Sequence, residues 1–135
     1  MLEEFHKVNY SDLPAKVQEA YNYQKASALL AEYGFVTNLL KYDWNGADFI
    51  AQHIGGKWLK IQIKGRLTTK PEYEGKDIYI MFEDKKNSNW YIFPHDKLFD
   101  YCRINYPGKT FTVEGHARAN LSKWQKDWLK EYLIT

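Results

Sequence analysis

Cysteine is nearly missing from this sequence: Cys102 is the one thiol in 135 residues, so no internal disulfide framework is available. Four histidines, His6, His53, His95 and His116, include no pair at metal-ligand spacing, which sets zinc aside. Long apolar runs are missing too. "IYIMF", the longest clean one, falls far short of the roughly 20 residues that span a bilayer. The acidic start "MLEEFHKV" has neither the basic flank nor the apolar stretch of a secretion signal, and no lipidation motif closes the chain at "YLIT". These absences lead to the expectation of a soluble cytoplasmic protein with no membrane partner. Gly55-Gly56 lacks the lysine and helix of a phosphate loop, no dinucleotide fingerprint occurs, and no strained elbow supports Cys102 as a nucleophile with His95 or His116. With no repeat, linker or low-complexity tract, residues 1–135 read as one domain able to bury roughly two thirds of its unfolded surface.

Acidic residues are missing from one window. Lys57, Lys60, Lys64, Arg66 and Lys70 fall between positions 57 and 70 with no Asp or Glu among them, so this window carries +5 of a net +2 chain. Such a strip suits an anionic partner, nucleic acid included; a solvated strand edge guarded by lysine has the same composition. Aromatic residues make up 17% of the chain, with 5 Trp and 11 Tyr, enough for either a packed core or a partner surface.

The stretch "SDLPAKVQEAYNYQKASALLAEYG" predicts a helix with Ser11 or Asp12 as cap, Pro14 in the first turn and Gly34 as the stop. Val17, Tyr21, Ala28 and Ala31 recur at helical spacing, and Gln24 falls in the middle of their stripe, where a buried amide needs a partner. Three strands are expected next, "FVTNLLKY", "ADFIAQHI" and "KWLKIQIKG", separated by the hairpin punctuation "DWNG" and "GG". Alternation puts Gln62 on one face with Trp58, Lys60 and Lys64, and the hairpin through Gly55 and Gly56 brings Asp48 alongside.

"GRLTTKPEYEGKD" reads as a loop, "IYIMFE" and "NWYIF" as strands, and "PHDKLFDYC" as a short helix after Pro94. "KTFTVEG" is one more strand candidate. "NLSKWQKDWLKEYL" closes the chain as a helix, with Ser122 and Gln125 spaced as a capping box and Leu121, Trp124, Trp128 and Tyr132 as an apolar stripe for a core or a subunit contact. The order predicts an α/β fold: a central mixed sheet with a leading helix and C-terminal flanking helices.

"GADFIA" followed by "KIQIKG" after a Gly-containing hairpin, behind a helix ending in "LLAEYGF", resembles the PD-(D/E)XK nuclease superfamily with its restriction-endonuclease-like fold. The resemblance runs from about Tyr21 to Pro94, and "YIFPHDKL" is similar to the strand-then-proline step after the motif. It implies Asp48, Gln62 and Lys64 as catalytic residues, with Mg2+ or Mn2+ held by Asp48, Gln62 and the Ile63 carbonyl. Lys57, Lys60, Arg66 and Lys70 would then bind DNA phosphates. Phosphodiester hydrolysis needs a metal to neutralise charge and a cation near the phosphorus, and Lys64 is of the type for the second task.

Two departures stand out. Ala47 occupies the proline position, and Gln62 replaces the usual acid, removing a negative charge from the metal site. The leading helix of such proteins often supplies another acid, but counting back from Gly34 that position is Gln24, an amide placed to support Gln62 or Asp48. Glu19 lies about 140° around the helix from Gln24, and Glu32 about 12 Å along it; Asp43 sits before the "WNG" turn, where self-bonding is common. The paired amides keep a non-catalytic nuclease-fold module, binding nucleic acid or a protein, open beside a DNA endonuclease; the 17% aromatic content leaves an interaction protein with exposed tyrosines and tryptophans as a third alternative. Cutting both strands of a duplex calls for two copies of one site, hence a homodimer or higher symmetric oligomer.

Overall fold

The computed structural model describes residues 2–108, 116–118 and 120–134. Two short 3-10 turns, Leu2–Glu4 and Tyr10–Asp12, lead into α1 (Ala15–Ala31). Neither Ser11 nor Asp12 caps this helix. Pro14 itself takes the cap position, and its carbonyl accepts the Gln18 N–H at 2.9 Å. The reason is steric: a residue before proline is pushed out of the α region, and Leu13 is extended at φ −76°, ψ 139°, so the helix cannot reach back. Its end is as expected, with the Gly34 N–H on the Ala31 carbonyl at 3.1 Å.

The buried face of α1 differs from the predicted stripe. Asn22, Ala26 and Leu30 are buried, while Val17, Gln24, Ala28 and Ala31 are exposed. Small apolar residues lie on every side of this helix, so periodicity alone selects no face; the sheet selects it. Ala26 and Leu30 pack on Phe49, Ala51, Ile61 and Met81, and the Tyr23 and Ser27 hydroxyls meet Thr37 Oγ1 at 3.0 and 2.6 Å.

Strands β1 (Phe35–Trp44), β2 (Ala47–His53) and β3 (Trp58–Lys64) form the expected antiparallel meander. Asn45 and Gly46, at φ 50° and 83°, make the tight first turn that two left-handed residues allow. After β4 (Leu67–Thr69) and a 3-10 turn at Pro71–Tyr73, β5 (Ile78–Asp84) pairs with β3 in parallel and β6 (Asn89–Pro94) with β5 antiparallel. The main sheet has six strands in the order β1-β2-β3-β5-β6-β8, with β8 at Leu133–Ile134. This is the mixed α/β architecture expected from the sequence.

The crossover at residues 65–77 is more than the loop expected. Leu67, Thr68 and Thr69 are buried and pair with β7 (His116–Arg118), a partner too distant in sequence to be read locally. The strand expected at "KTFTVEG", residues 109–115, lies outside the described residues.

Helix α2 (His95–Asn105) covers the second face of the sheet, packing Leu98 and Cys102 on Ile80, Phe82 and Phe93. The closing helix is shorter than expected. α3 spans Lys123–Leu129, with the Gln125 Oε1 accepting the Ser122 N–H at 2.9 Å, and the chain then turns through Lys130–Tyr132 into β8. Leu121, Trp124, Trp128 and Tyr132 pack against the second core; Trp124 stacks on Tyr101 with centroids 5.6 Å apart, and Trp128 meets Phe93 edge-on at 5.7 Å. The aromatic stripe proposed as a core or subunit contact thus covers its own chain's core. Among the described residues, no helix is long and apolar enough to cross a membrane.

Candidate active site

A parallel pair flanked by antiparallel neighbours gathers its ligand-facing groups at the carboxyl ends of its strands, where side chains and loops fan outward. At that end of β3 lies a cleft of about 750 Å3, roofed by α1 and walled by β1. It brings Asp48, Gln62, Ile63 and Lys64 together. The β2/β3 ladder is in register as far as Phe49 opposite Ile61. One residue on, the Asp48 carboxylate takes the place of a backbone acceptor: its Oδ2 accepts the Ile63 N–H at 3.0 Å. A side chain standing in for a ladder carbonyl is what opens the two strands and leaves a carboxylate at their fork.

Burial is the main force on Asp48 and lifts its carboxyl above the usual range; the Ile63 N–H and the Lys64 ammonium oppose it, and the negative charges of Asp43 and Glu19 add to it. Asp43 and Glu19 therefore each act on Asp48 across this cleft. A cation placed among them would relieve both the desolvation and the mutual repulsion. Gln62 is 8% exposed, and its Oε1 is buried without a hydrogen-bond partner, an arrangement costly unless something positive meets the oxygen.

Among the described residues no three His, Cys, Asp or Glu side chains converge to hold a metal. A divalent cation here would thus rest on Asp48, the Gln62 amide oxygen and the Ile63 carbonyl, with water and substrate oxygens completing its shell. The unpaired Gln62 oxygen beside a half-buried carboxylate fits a hard, oxygen-preferring ion of this kind.

The helix contributes differently from expectation. Gln24 lines the cleft from an exposed position instead of being buried in a stripe. Glu19, set aside by counting from Gln24, lines it as well and acts electrostatically on Asp48. With the inward face now fixed by Asn22, Ala26 and Leu30, Glu19 lies on that same face, one turn toward the N-terminus. The spacing Glu19, Asn22, Ala26, Leu30 was the signal available in the sequence. Asp43 also lines the cleft.

The basic strip is divided by the fold. Lys57 and Lys60 sit at the opposite end of β3 from Lys64, lining a separate hollow with Trp58 and Asp77; seven residues of strand separate Lys57 from Lys64 by roughly 23 Å. Lys60 donates to the Lys76 carbonyl. Arg66 is exposed just past Gly65, which lines the cleft. Lys70 lies 3.7 Å from Glu72, and its backbone N–H donates to His95 Nε2 at 3.0 Å. Two cations not singled out from sequence, Lys16 and Lys41, line the cleft instead.

No family model matches the sequence, and no curated protein matches it. Among solved structures, the chain is similar to a bacterial homing endonuclease, I-Ssp6803I, with a TM-score of 0.52 at 17% identity, over 83% of this chain and 80% of that one. The chain therefore shares the α/β fold of that structure.

Proposed function

We propose that this protein is a metal-dependent endonuclease of the PD-(D/E)XK type, in its QxK form, that hydrolyses DNA phosphodiester bonds. The observation that carries the reading is the fork of β2 and β3, where Asp48, the unpaired Gln62 oxygen and Lys64 share one cleft. The similar fold of a homing endonuclease supports it. Asp48, Gln62 and the Ile63 carbonyl would hold Mg2+ or Mn2+, which when bound neutralises phosphate charge and lowers the pKa of a coordinated water. Lys64 places its ammonium where charge develops on the phosphoryl oxygens. Glu19 and Asp43 raise the negative potential that draws the cation in. Lys41 at the cleft and Arg66 just past Gly65 would offer positive charge to the flanking phosphates, with Lys16 sharing its charge with Glu19 at 3.7 Å, so affinity for DNA falls steeply with salt; Lys57, Lys60 and Lys70 would meet the duplex farther out. Double-strand cutting by so small a protein calls for a homodimer or higher symmetric oligomer, and a cytoplasmic setting belongs to the same reading.

A second reading, a nuclease-fold module that binds nucleic acid without cutting it, is favoured by the lack of three convergent acidic side chains among the described residues. Incubation of supercoiled plasmid with Mg2+ or Mn2+ at low salt separates the two. The endonuclease reading expects metal-dependent nicking by the natural sequence that is lost in Asp48→Ala and in Lys64→Ala. Salt-sensitive DNA binding without any cutting would overturn it in favour of the second.

A further inference from the structure

Tyr73 lies on the crossover between β4 and β5 and is 6% exposed, packed in the core beneath α2. Filling a core is reason enough for an aromatic ring, but its surroundings do more. The Lys64 ammonium stands 5.4 Å from its ring centroid, and that of Lys70 5.9 Å. Both distances are within the range over which the negative face of an aromatic ring attracts a cation.

The ring is clamped by its neighbours. His95 meets it edge-to-face at 5.5 Å, and Gly46, at the β1/β2 turn, comes so close that an added Cβ would lie 3.2 Å from Tyr73 Cδ1. The crossover around it is stitched to α2 at three points. His95 Nε2 accepts the Lys70 N–H at 3.0 Å, Asp96 Oδ2 accepts the Gly75 N–H at 3.0 Å, and Arg103 pairs with Glu74 at 2.6 Å. Such a platform has little freedom to follow a moving side chain. Lys64, by contrast, is a four-carbon stem ending in a point charge, and by itself would sample many rotamers.

We propose that Tyr73 is a positioning residue: its ring face holds the Lys64 ammonium at the mouth of the β2/β3 fork, opposite Asp48. This rests on the endonuclease reading and deepens it, since an ammonium already in place when phosphate arrives pays no ordering cost at the moment of reaction. The crossover thereby acts on the site from behind the cleft, and its three ties to α2 become part of how Lys64 is aimed.

The test compares the natural protein with Tyr73→Phe, Tyr73→Leu and a series carrying phenylalanine rings of increasing fluorination at position 73, which keep the shape while withdrawing charge from the ring face. Two quantities are read: the ring-current shift of the Lys64 ε-methylene protons, and kcat and KM for plasmid nicking. The expected result is an upfield ε-methylene signal in the natural protein and in Tyr73→Phe that is lost in Tyr73→Leu. Cleavage kcat should fall stepwise with fluorination by about three- to ten-fold in total, with KM little changed. An absent upfield shift in the natural protein would overturn the contact, and a kcat insensitive to fluorination would overturn its role in a protein that cuts. If the natural protein does not nick DNA with either metal, the endonuclease reading fails and this role with it, while the ring-current shift still reports whether the contact exists.

Discussion

Replacing Gly46 by alanine probes the packing that brings the β1/β2 turn down onto the crossover, and with it the placement of Asp48 beside Lys64. Gly46 sits at φ +83°, where a side chain costs about 1–2 kcal/mol because its Cβ crowds the carbonyl oxygen. The new methyl also overlaps Ile78 Cδ1 and comes within 3.2 Å of Tyr73 Cδ1. Both neighbours belong to the buried core, so neither yields cheaply, and forcing a methyl into a packed core adds about 1–3 kcal/mol. Together these give a loss of about 3 kcal/mol, a large share of the roughly 5–15 kcal/mol that holds a domain folded. For a chain of this size the melting temperature should fall by about 12 °C. Gly56→Ala is the matched control: it too has a left-handed backbone, at φ +101°, but nothing lies within 4 Å of its would-be Cβ, so only the conformational part applies. Urea unfolding followed by far-UV circular dichroism gives both values. The reasoning is refuted if Gly46→Ala costs no more than Gly56→Ala, because the turn would then not rest on Ile78 and Tyr73.

His95 is fully buried, and burial holds its imidazole below the usual range despite the Asp96 carboxylate at 2.9 Å. The unfolded chain therefore binds a proton more readily than the folded one, and stability should fall as pH drops from about 6.5 through the lowered folded value. Urea midpoints at pH 5 and pH 7.5 should differ in that direction, and the share of the difference due to this residue should vanish in His95→Gln. Burial pushes the Cys102 thiol up to about 11, so native protein at pH 8 should react with a thiol-specific disulfide reagent far more slowly than protein unfolded in urea. Equal rates would mean that α2 does not close over the second core.

Much of the fold was legible because local signals agreed with one another. The Asn45-Gly46 and Gly55-Gly56 turns, the alternation of "ADFIA" and "KIQIK", and Pro94 before a helix each pointed the same way, and the sheet follows. Long-range pairing was not legible: Leu67–Thr69 becomes a strand only because β7 meets it some fifty residues later. The face of α1 is not legible for a related reason. Val17, Tyr21, Ala28 and Ala31 make as good a stripe on paper as Asn22, Ala26 and Leu30, and only the position of the sheet decides between them. That one choice also decided the candidate site's helix residues, since it turned Gln24 inward and Glu19 away. Lys57 and Lys60 read as one strip with Lys64 because sequence proximity hides the length of an extended strand.

The most direct test of the central claim is Mg2+-dependent nicking of supercoiled plasmid by Asp48→Asn beside the natural protein, with the thermal stability of both measured in metal-free buffer before Mg2+ is added. Asparagine keeps an acceptor for the Ile63 N–H but removes the charge. Because burial raises the Asp48 carboxyl above its ordinary 3.8, the natural protein loses stability as pH rises through the raised value, and at neutral pH the variant should be the more stable of the two. The account predicts a variant that melts higher and cuts at least about a hundred-fold more slowly, as expected when a group that binds the metal and stabilises the transition state loses its charge. Cutting by the variant at the natural rate, or no metal-dependent cutting by the natural protein at all, would contradict it.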